Sequence, residues 1–177
     1  MRRAVIRALL LTLALAIAAC GRTAPPAEAP SFRRGGEPIA SAAIFDLERA
    51  HGLWHVVARF PNPAEAGRTG DTVSLLAPLA GGGVTFQRDW NGGSGYVQAS
   101  SPMPGRFVLT PTAAIPAAQL WVLWVAGDYE TLVIGTPDGT LGWVLNRRPD
   151  ISAERLGVAR EILDFNGYDA TRLQRTP

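Results

Sequence analysis

The sequence predicts an all-β domain of eight short antiparallel strands, a barrel or a sandwich, followed by one helix. Two observations carry this. Residues 54–147 fall into eight short apolar segments parted by turn residues roughly every eight to twelve positions. A helical segment follows at 150–167, which is awkward for a plain sandwich. A third observation, an apolar leader over residues 1–20, bears on where the domain works.

The leader comes first. Arg2, Arg3 and Arg7 precede an apolar run, Ala8 to Ala19, that is too short to span a bilayer as a stable helix. This is the pattern of a secretory signal. It ends Ile17-Ala18-Ala19-Cys20, which looks like a bacterial lipobox with cleavage before Cys20. Cys20 is the chain's one cysteine, so no internal disulfide forms, and acylation explains its solitude. The residue after it is Gly21 rather than an aspartate, which favours the outer membrane. Residues 1–19 are therefore expected as signal peptide, 20–43 as lipidated Cys and flexible linker, and 44–177 as the domain. The linker is rich in proline and small residues and contains the pair Arg33-Arg34.

Residues 44–51 read as a short helix or turn leading into Gly52. Strand segments follow at 54–60, 72–77, 84–90, 96–99, 106–109, 119–126, 129–135 and 141–147. Pro61 and Pro63 end the first, because proline cannot donate to a ladder. Ala80-Gly81-Gly82-Gly83 turns the chain, Asn91-Gly92 marks a hairpin, and Pro102 and Pro104 part the fourth and fifth segments. Thr136-Pro137-Asp138-Gly139 makes the last tight turn. Asp150 is the expected N-cap of the closing helix and Gly167 its stop.

Three of the 17 basic residues lie in the leader and all 15 acidic residues lie after it, so the remainder carries a net charge of about −1. No basic patch points to nucleic acid. Every basic residue is Arg, which excludes lysine Schiff-base or lysine general-base chemistry.

Three motifs carry a resemblance. The first is Gly52-Leu53-Trp54 with Ala58-Arg59-Phe60. The second is Gly127-Asp128-Tyr129 leading into Leu132-Val133-Ile134-Gly135, and the third is Trp143-Val144-Leu145-Asn146-Arg147. Together, behind a lipobox and before a helix, they resemble the lipocalins over residues 44–177, and most closely the bacterial outer-membrane lipoprotein branch. The second motif departs from the family pattern, with Gly127 where Thr or a similar residue is usual. The resemblance implies an eight-stranded antiparallel up-and-down barrel, a short N-terminal segment closing one end, and the helix packed outside. Gly52, Trp54, Asp128, Tyr129 and Arg147 become structural signature residues, with Arg147 expected across the Trp54 indole.

Alternation along the strands nominates a ligand-lining set. With Trp54 inward, Val56, Ala58 and Phe60 follow; Leu120, Val122 and Trp124 share a face. Val84, Phe86, Arg88 and Trp90 share one face of their strand and Thr85, Gln87 and Asp89 the other, and the pattern does not choose which lines the interior. If the apolar face does, Arg88 is a partner for a phosphate or carboxylate head; otherwise it sits on the outside of the wall. Tyr96 and Phe107 complete the set. The resemblance implies a fatty acid or lysophospholipid, palmitate for example, bound or transported in the cell envelope.

No cofactor is expected. His51 and His55 flank Gly52 and need not share a face, and no Cys or acidic cluster completes a metal site. Ser74, Ser94, Ser100 and Ser101 lack a nucleophile elbow, and Gly135 to Gly139 is a hairpin rather than a phosphate loop. No catalytic residue is expected. Two alternatives remain: an enzyme on a lipophilic substrate, for which Tyr96, Asp89 or His55 are the loose candidates, and a structural envelope module with a filled barrel. The sequence does not name the ligand or the oligomeric state.

Overall fold

The computed structural model describes residues 29–76 and 83–177. The leader, Cys20 and the turn at 80–82 lie outside the described residues. The domain is a closed antiparallel barrel of eight strands with one extra strand and a helix against its wall. The strands are β1 (Gly52–Arg59), β2 (Thr72–Leu76), β3 (Gly83–Trp90), β4 (Gly93–Met103), β5 (Arg106–Leu109), β6 (Gln119–Val125), β7 (Thr131–Gly135) and β8 (Gly142–Asn146). Each of β2 to β8 pairs with its neighbour in sequence. β1 closes the barrel by pairing with β2 through residues 52–55 and with β8 through residues 55–59. A short β9 (Gln174–Arg175) pairs with Ala58 and Arg59. The helices are α1 (Leu47–Ala50) and α2 (Ala153–Phe165).

Burial patterns show which wall is covered. β3 alternates buried and half-buried positions, as a strand with one solvated face should. β7 and β8 are buried at every position, because α2 covers their outer side. Leu156, Ala159 and Leu163 lie on the face of α2 that meets them. The helix begins two residues later than the sequence suggests. Ser152 caps it through a bond from the Arg155 N–H at 3.2 Å, while the Asp150 carbonyl is held by the Asn146 side chain at 2.8 Å. β4 also runs further than expected, through Pro102 to Met103. The missing N–H of Pro102 shows as a register irregularity between Ser100 and Met103.

Two bulges reset the alternation. One lies between Val56 and Ala58, the other between Val122 and Trp124. They split the apolar residues into an inner cluster filling the barrel and an outer one beneath α2 and the chain termini. Ala58 and Phe60, expected inside with Trp54, fall in the outer cluster.

Residues 31–42, expected as solvated linker, lie against the barrel as a strap. Phe32 donates its N–H to Gly139 O at 2.8 Å, and Ala42 donates to Val122 O at 2.7 Å. Arg33 donates to the carbonyls of Asn166, Pro137 and Glu37, and Arg34 pairs with Asp164 at 3.1 Å. Phe32 stacks on Phe60 at 5.0 Å and Phe60 on Tyr168 at 5.1 Å. The Tyr168 hydroxyl accepts from the Thr136 N–H at 2.7 Å and reaches Leu141 O at 2.8 Å. Burial pushes its pKa up to about 12, against the pull of the Thr136 hydrogen bonds. These rings sit close because β7 and β8 present glycines there: a Cβ on Gly135 would lie 2.6 Å from the Tyr168 hydroxyl, and one on Gly142 2.7 Å from Phe60.

α1 closes one end. The Trp54 indole donates to Ala50 O at 2.8 Å, and the Arg147 guanidinium lies 3.7 Å over the indole. Arg147 also donates to Leu53 O at 3.0 Å, Arg49 O at 2.9 Å and His51 O at 3.0 Å, gathering the incoming chain onto the barrel rim. Gly52 has φ +102°, and a side chain there would press on Arg147 at 3.3 Å. Tyr129 accepts the Asp46 N–H at 2.8 Å and carries Arg49 over its ring at 3.9 Å. Asp128 pairs with Arg155 of α2, which holds its carboxyl down at about 2. Replacing Trp54 by Ala removes the ring at the centre of this end. It should lower unfolding free energy in denaturant melts by about 3–5 kcal/mol; a change below about 1 kcal/mol would contradict this packing.

Candidate functional site

The opposite end of the barrel is the mouth, ringed by the connections 60–71, 91–92, 110–118 and 136–141. The longest, 60–71, folds inward across the opening. Proline at 61 and 63 turns the chain away from β1, and Asn62 then organises the turn. Its side-chain oxygen caps the 3-10 turn Pro63–Glu65 through the Ala64 N–H at 2.8 Å, while its amide donates to Thr140 O at 2.8 Å. Thr69 accepts from the Asn91 backbone and side-chain N–H groups at 2.8 and 2.9 Å. Arg68 donates to Ala114 O at 3.0 Å and to Ala113 O. The loop therefore touches all three other connections of the mouth.

Beneath it lies an ionic cluster. Arg88, fully buried on the inner face of β3, donates Nε to Asp71 Oδ1 at 2.8 Å and Nη2 to Asp71 Oδ2. Its Nη1 donates to Glu65 Oε1 and to Ala114 O at 3.0 Å, and the guanidinium lies 4.4 Å over the Trp143 ring. The Trp143 indole donates to the other oxygen of Glu65 at 3.3 Å. Arg59 donates to Asp71 Oδ2 at 2.7 Å and to the carbonyls of Glu65 and Arg68 at 3.1 and 2.8 Å. Arg68, 7 % exposed, stacks 4.1 Å over Trp90. Burial alone would depress the Arg88 pKa, but the Asp71 hydrogen bonds and the Glu65 charge raise it above the ordinary guanidinium value. Arg68 has carbonyl partners instead, and burial with the neighbouring Arg88 charge lowers it.

The inner cluster fills the barrel between the two ends. Phe107 meets Phe86 edge-on at 5.0 Å and Phe45 at 6.1 Å. Ile115, from the loop 110–118, is packed into the same cluster. Among the described residues, the hydrophobic side chains of the inner cluster are 0–8 % exposed, and the described surface clefts are lined by residues outside it or at its rim. The hollow expected at sequence level is occupied by the chain's own side chains, with the mouth shut.

The structure sorts the nominated lining residues. Val56, Phe86, Arg88, Phe107 and Val122 are inside, and Trp90 stands at the mouth beneath Arg68. Ala58 and Trp124 are turned outward by the two bulges. Tyr96, opposite Gln87 on the outer face, is 75 % exposed, so it cannot line the interior. Asp89 bonds Gln87 on that same outer face, and His55 borders a surface cleft with Pro149 and Thr176. Glu65 and Asp71 were missed. Their signal was present: two acids in a long loop at the mouth end of a strand set holding one candidate inward Arg.

The family model for the lipocalin-like domain matches residues 92–177. The chain is 25 % identical over 146 residues to temperature-induced lipocalin-1 of Arabidopsis thaliana, covering 75 % of this chain and 78 % of that one. It is 25 % identical over 169 residues to the outer membrane lipoprotein Blc of Escherichia coli K12, covering 91 % and 89 %. Among solved structures, insecticyanin of the tobacco hornworm Manduca sexta aligns with a TM-score of 0.55 at 19 % identity, over 84 % of this chain and 87 % of that one. The siderocalin Ex-FABP aligns with a TM-score of 0.56 at 15 % identity, over 73 % and 94 %. Family model, relatives and barrel fold together support a lipocalin. Within the family its similarity to Blc supports the bacterial branch.

Lipocalins are in general non-enzymatic binders of small hydrophobic ligands, and the similarity supports that class of function here. The mouth is held shut by the Arg88 ion pairs together with the Asn62, Arg68 and Thr69 contacts of the loop. Arg88→Met strands Glu65 and Asp71 without their shared partner. Stability in urea should fall by about 3–5 kcal/mol; a loss below about 1 kcal/mol would show that the cluster does not hold the loop.

Proposed function

We propose that this lipocalin is tethered to the bacterial outer membrane through Cys20 and binds a single-chain amphiphile, a fatty acid or lysophospholipid, in its upper barrel. The observation that carries the reading is the mouth: an apolar barrel wall capped by three guanidiniums, under a loop joined to the wall by side-chain contacts and short hydrogen bonds. A binding module needs an apolar interior with a few placed polar groups. Ligand entry then requires the 62–68 segment and the loop 110–118 to move out together.

The similarity to an outer membrane lipoprotein supports the envelope location. So does the strap. It meets the barrel at the mouth end, where Ser31 donates to Asp138 O at 2.8 Å. Only ten residues separate Cys20 from Ser31, and they extend to at most about 35 Å. An acylated Cys20 thus keeps the mouth within reach of the lipid surface, where amphiphiles partition.

The packed interior favours a second reading, a structural envelope module whose barrel holds no ligand. Organic extraction of protein purified from membranes, followed by mass spectrometry, separates the two. The carrier reading predicts a recovered fatty acid or lysophospholipid and displacement of a fluorescent fatty acid in vitro. An empty extract with no binding of the probe supports the structural module. In the same preparation Cys20→Ala should move the protein to the soluble fraction, and unchanged membrane fractionation would refute the tether.

A further inference from the structure

The cluster at the mouth contains donors that belong to the barrel wall and an acceptor that does not. Arg88 Nη1 on β3 and Trp143 Nε1 on β8 converge on one carboxylate, that of Glu65, the first on Oε1 and the second on Oε2 at 3.3 Å. Both donor residues are fully buried and fixed in paired strands. Glu65 is carried by a three-residue 3-10 turn whose backbone–backbone bonds are local, its N–H donating to Asn62 O at 2.9 Å; the one wall contact of its backbone is the Arg59 side chain on its carbonyl at 3.1 Å. Asp71 differs. Its carbonyl accepts the Val56 N–H at 2.9 Å, and its carboxylate bridges Arg59 and Arg88, so it stays with the wall when the turn moves.

We propose that Arg88 Nη1 and Trp143 Nε1 form the seat for the acidic head of a single-chain amphiphile, a carboxylate or phosphate, and that Glu65 is a built-in occupant which this head displaces. The inference rests on the carrier reading above and names the headgroup chemistry it selects. Withdrawal of the 62–68 segment leaves the buried Trp143 Nε1 without an acceptor and Arg88 Nη1 with Ala114 O alone, a costly state unless another acceptor arrives. Charge points to an anion. Arg59, Arg68 and Arg88 face the two carboxylates of Glu65 and Asp71, one surplus positive charge. Withdrawal of 62–68 removes Glu65 and Arg68 together and leaves Arg59 and Arg88 against Asp71 alone, still one surplus positive charge but with no carboxylate on the Arg88 Nη1 side. A neutral alcohol can accept one hydrogen bond here but neutralises nothing. The tail lies along the upper wall near Trp90, Leu141 and Trp143.

The test compares affinities of the full-length protein, Glu65→Ala and Glu65→Gln for dodecanoate, dodecyl phosphate and dodecanol by calorimetry. The ratio of anion to alcohol affinity cancels any general easing of loop opening. Removal of the resident carboxylate should raise the dodecanoate-to-dodecanol ratio by about tenfold or more in both variants. A parallel rise for dodecyl phosphate assigns the seat to phosphate heads as well, and a rise for dodecanoate alone assigns it to carboxylates. An unchanged ratio with dodecanol still bound overturns the seat and leaves the carrier reading standing. A rise in Glu65→Ala alone reports vacated space rather than charge and also overturns it. Binding of none of the three amphiphiles by any of the proteins overturns the carrier reading and the seat together.

Discussion

A guanidinium withdrawn from water inside an apolar barrel has to be neutralised and fully hydrogen-bonded, and Arg88 imposes that demand on this domain. Its desolvation is offset only if carboxylates reach it with good geometry. The inner wall offers none, so they come from the connection between the first two strands: Asp71 at the root of β2 and Glu65 from the turn before it. The path of the loop across the mouth, the carbonyls that Arg59 and Arg68 collect, and the inward placement of Ile115 all follow from bringing those two acids to one buried cation.

The two ends of the barrel solve related problems differently. Each places a guanidinium over an indole, Arg147 over Trp54 at 3.7 Å and Arg88 over Trp143 at 4.4 Å. At the closed end the hydrogen-bond partners of Arg147 are carbonyls of residues 49–53 and Tyr129, backbone groups that stay in place while the domain is folded. At the mouth one partner of Arg88 is a side chain on a loop. A backbone carbonyl cannot be exchanged for a ligand atom, whereas a loop carboxylate can. One end is therefore permanently sealed, and the other is shut by a contact that a competing anion reproduces.

The barrel was legible in the sequence because its strands are short, apolar and separated by Asn-Gly, Gly and Pro turns, and because Trp54, Tyr129 and Arg147 mark the closed end. The inner face was legible only where alternation runs unbroken. Phe86 and Arg88 follow it, as do Val56 and Val122 up to their bulges. Beyond those bulges Ala58, Phe60 and Trp124 turn outward, because one extra residue reverses every later side chain and no residue type announces it. Tyr96 failed for another reason: its aromatic ring suggested the interior, but its place opposite Gln87 puts it on the solvent face. The strap was hidden in a composition that reads as linker. Phe32 is its one aromatic anchor, and its partners Phe60, Gly139 and Asp169 lie far along the chain. The acids that neutralise Arg88 were visible as residues, but the pairing is a tertiary contact that spacing does not encode.

The central claim is that the 62–68 segment is held inside the mouth by the Arg88–Glu65 pair and leaves when a ligand binds, while Asp71 stays with the wall. Hydrogen–deuterium exchange of peptides covering 62–68, with and without saturating dodecanoate, tests it most directly. The account predicts strong protection of this segment in the free protein and faster exchange in the complex, while β1 and β8 stay protected throughout. Free exchange of the segment in the unliganded protein, or protection that ligand binding leaves unchanged, would contradict it.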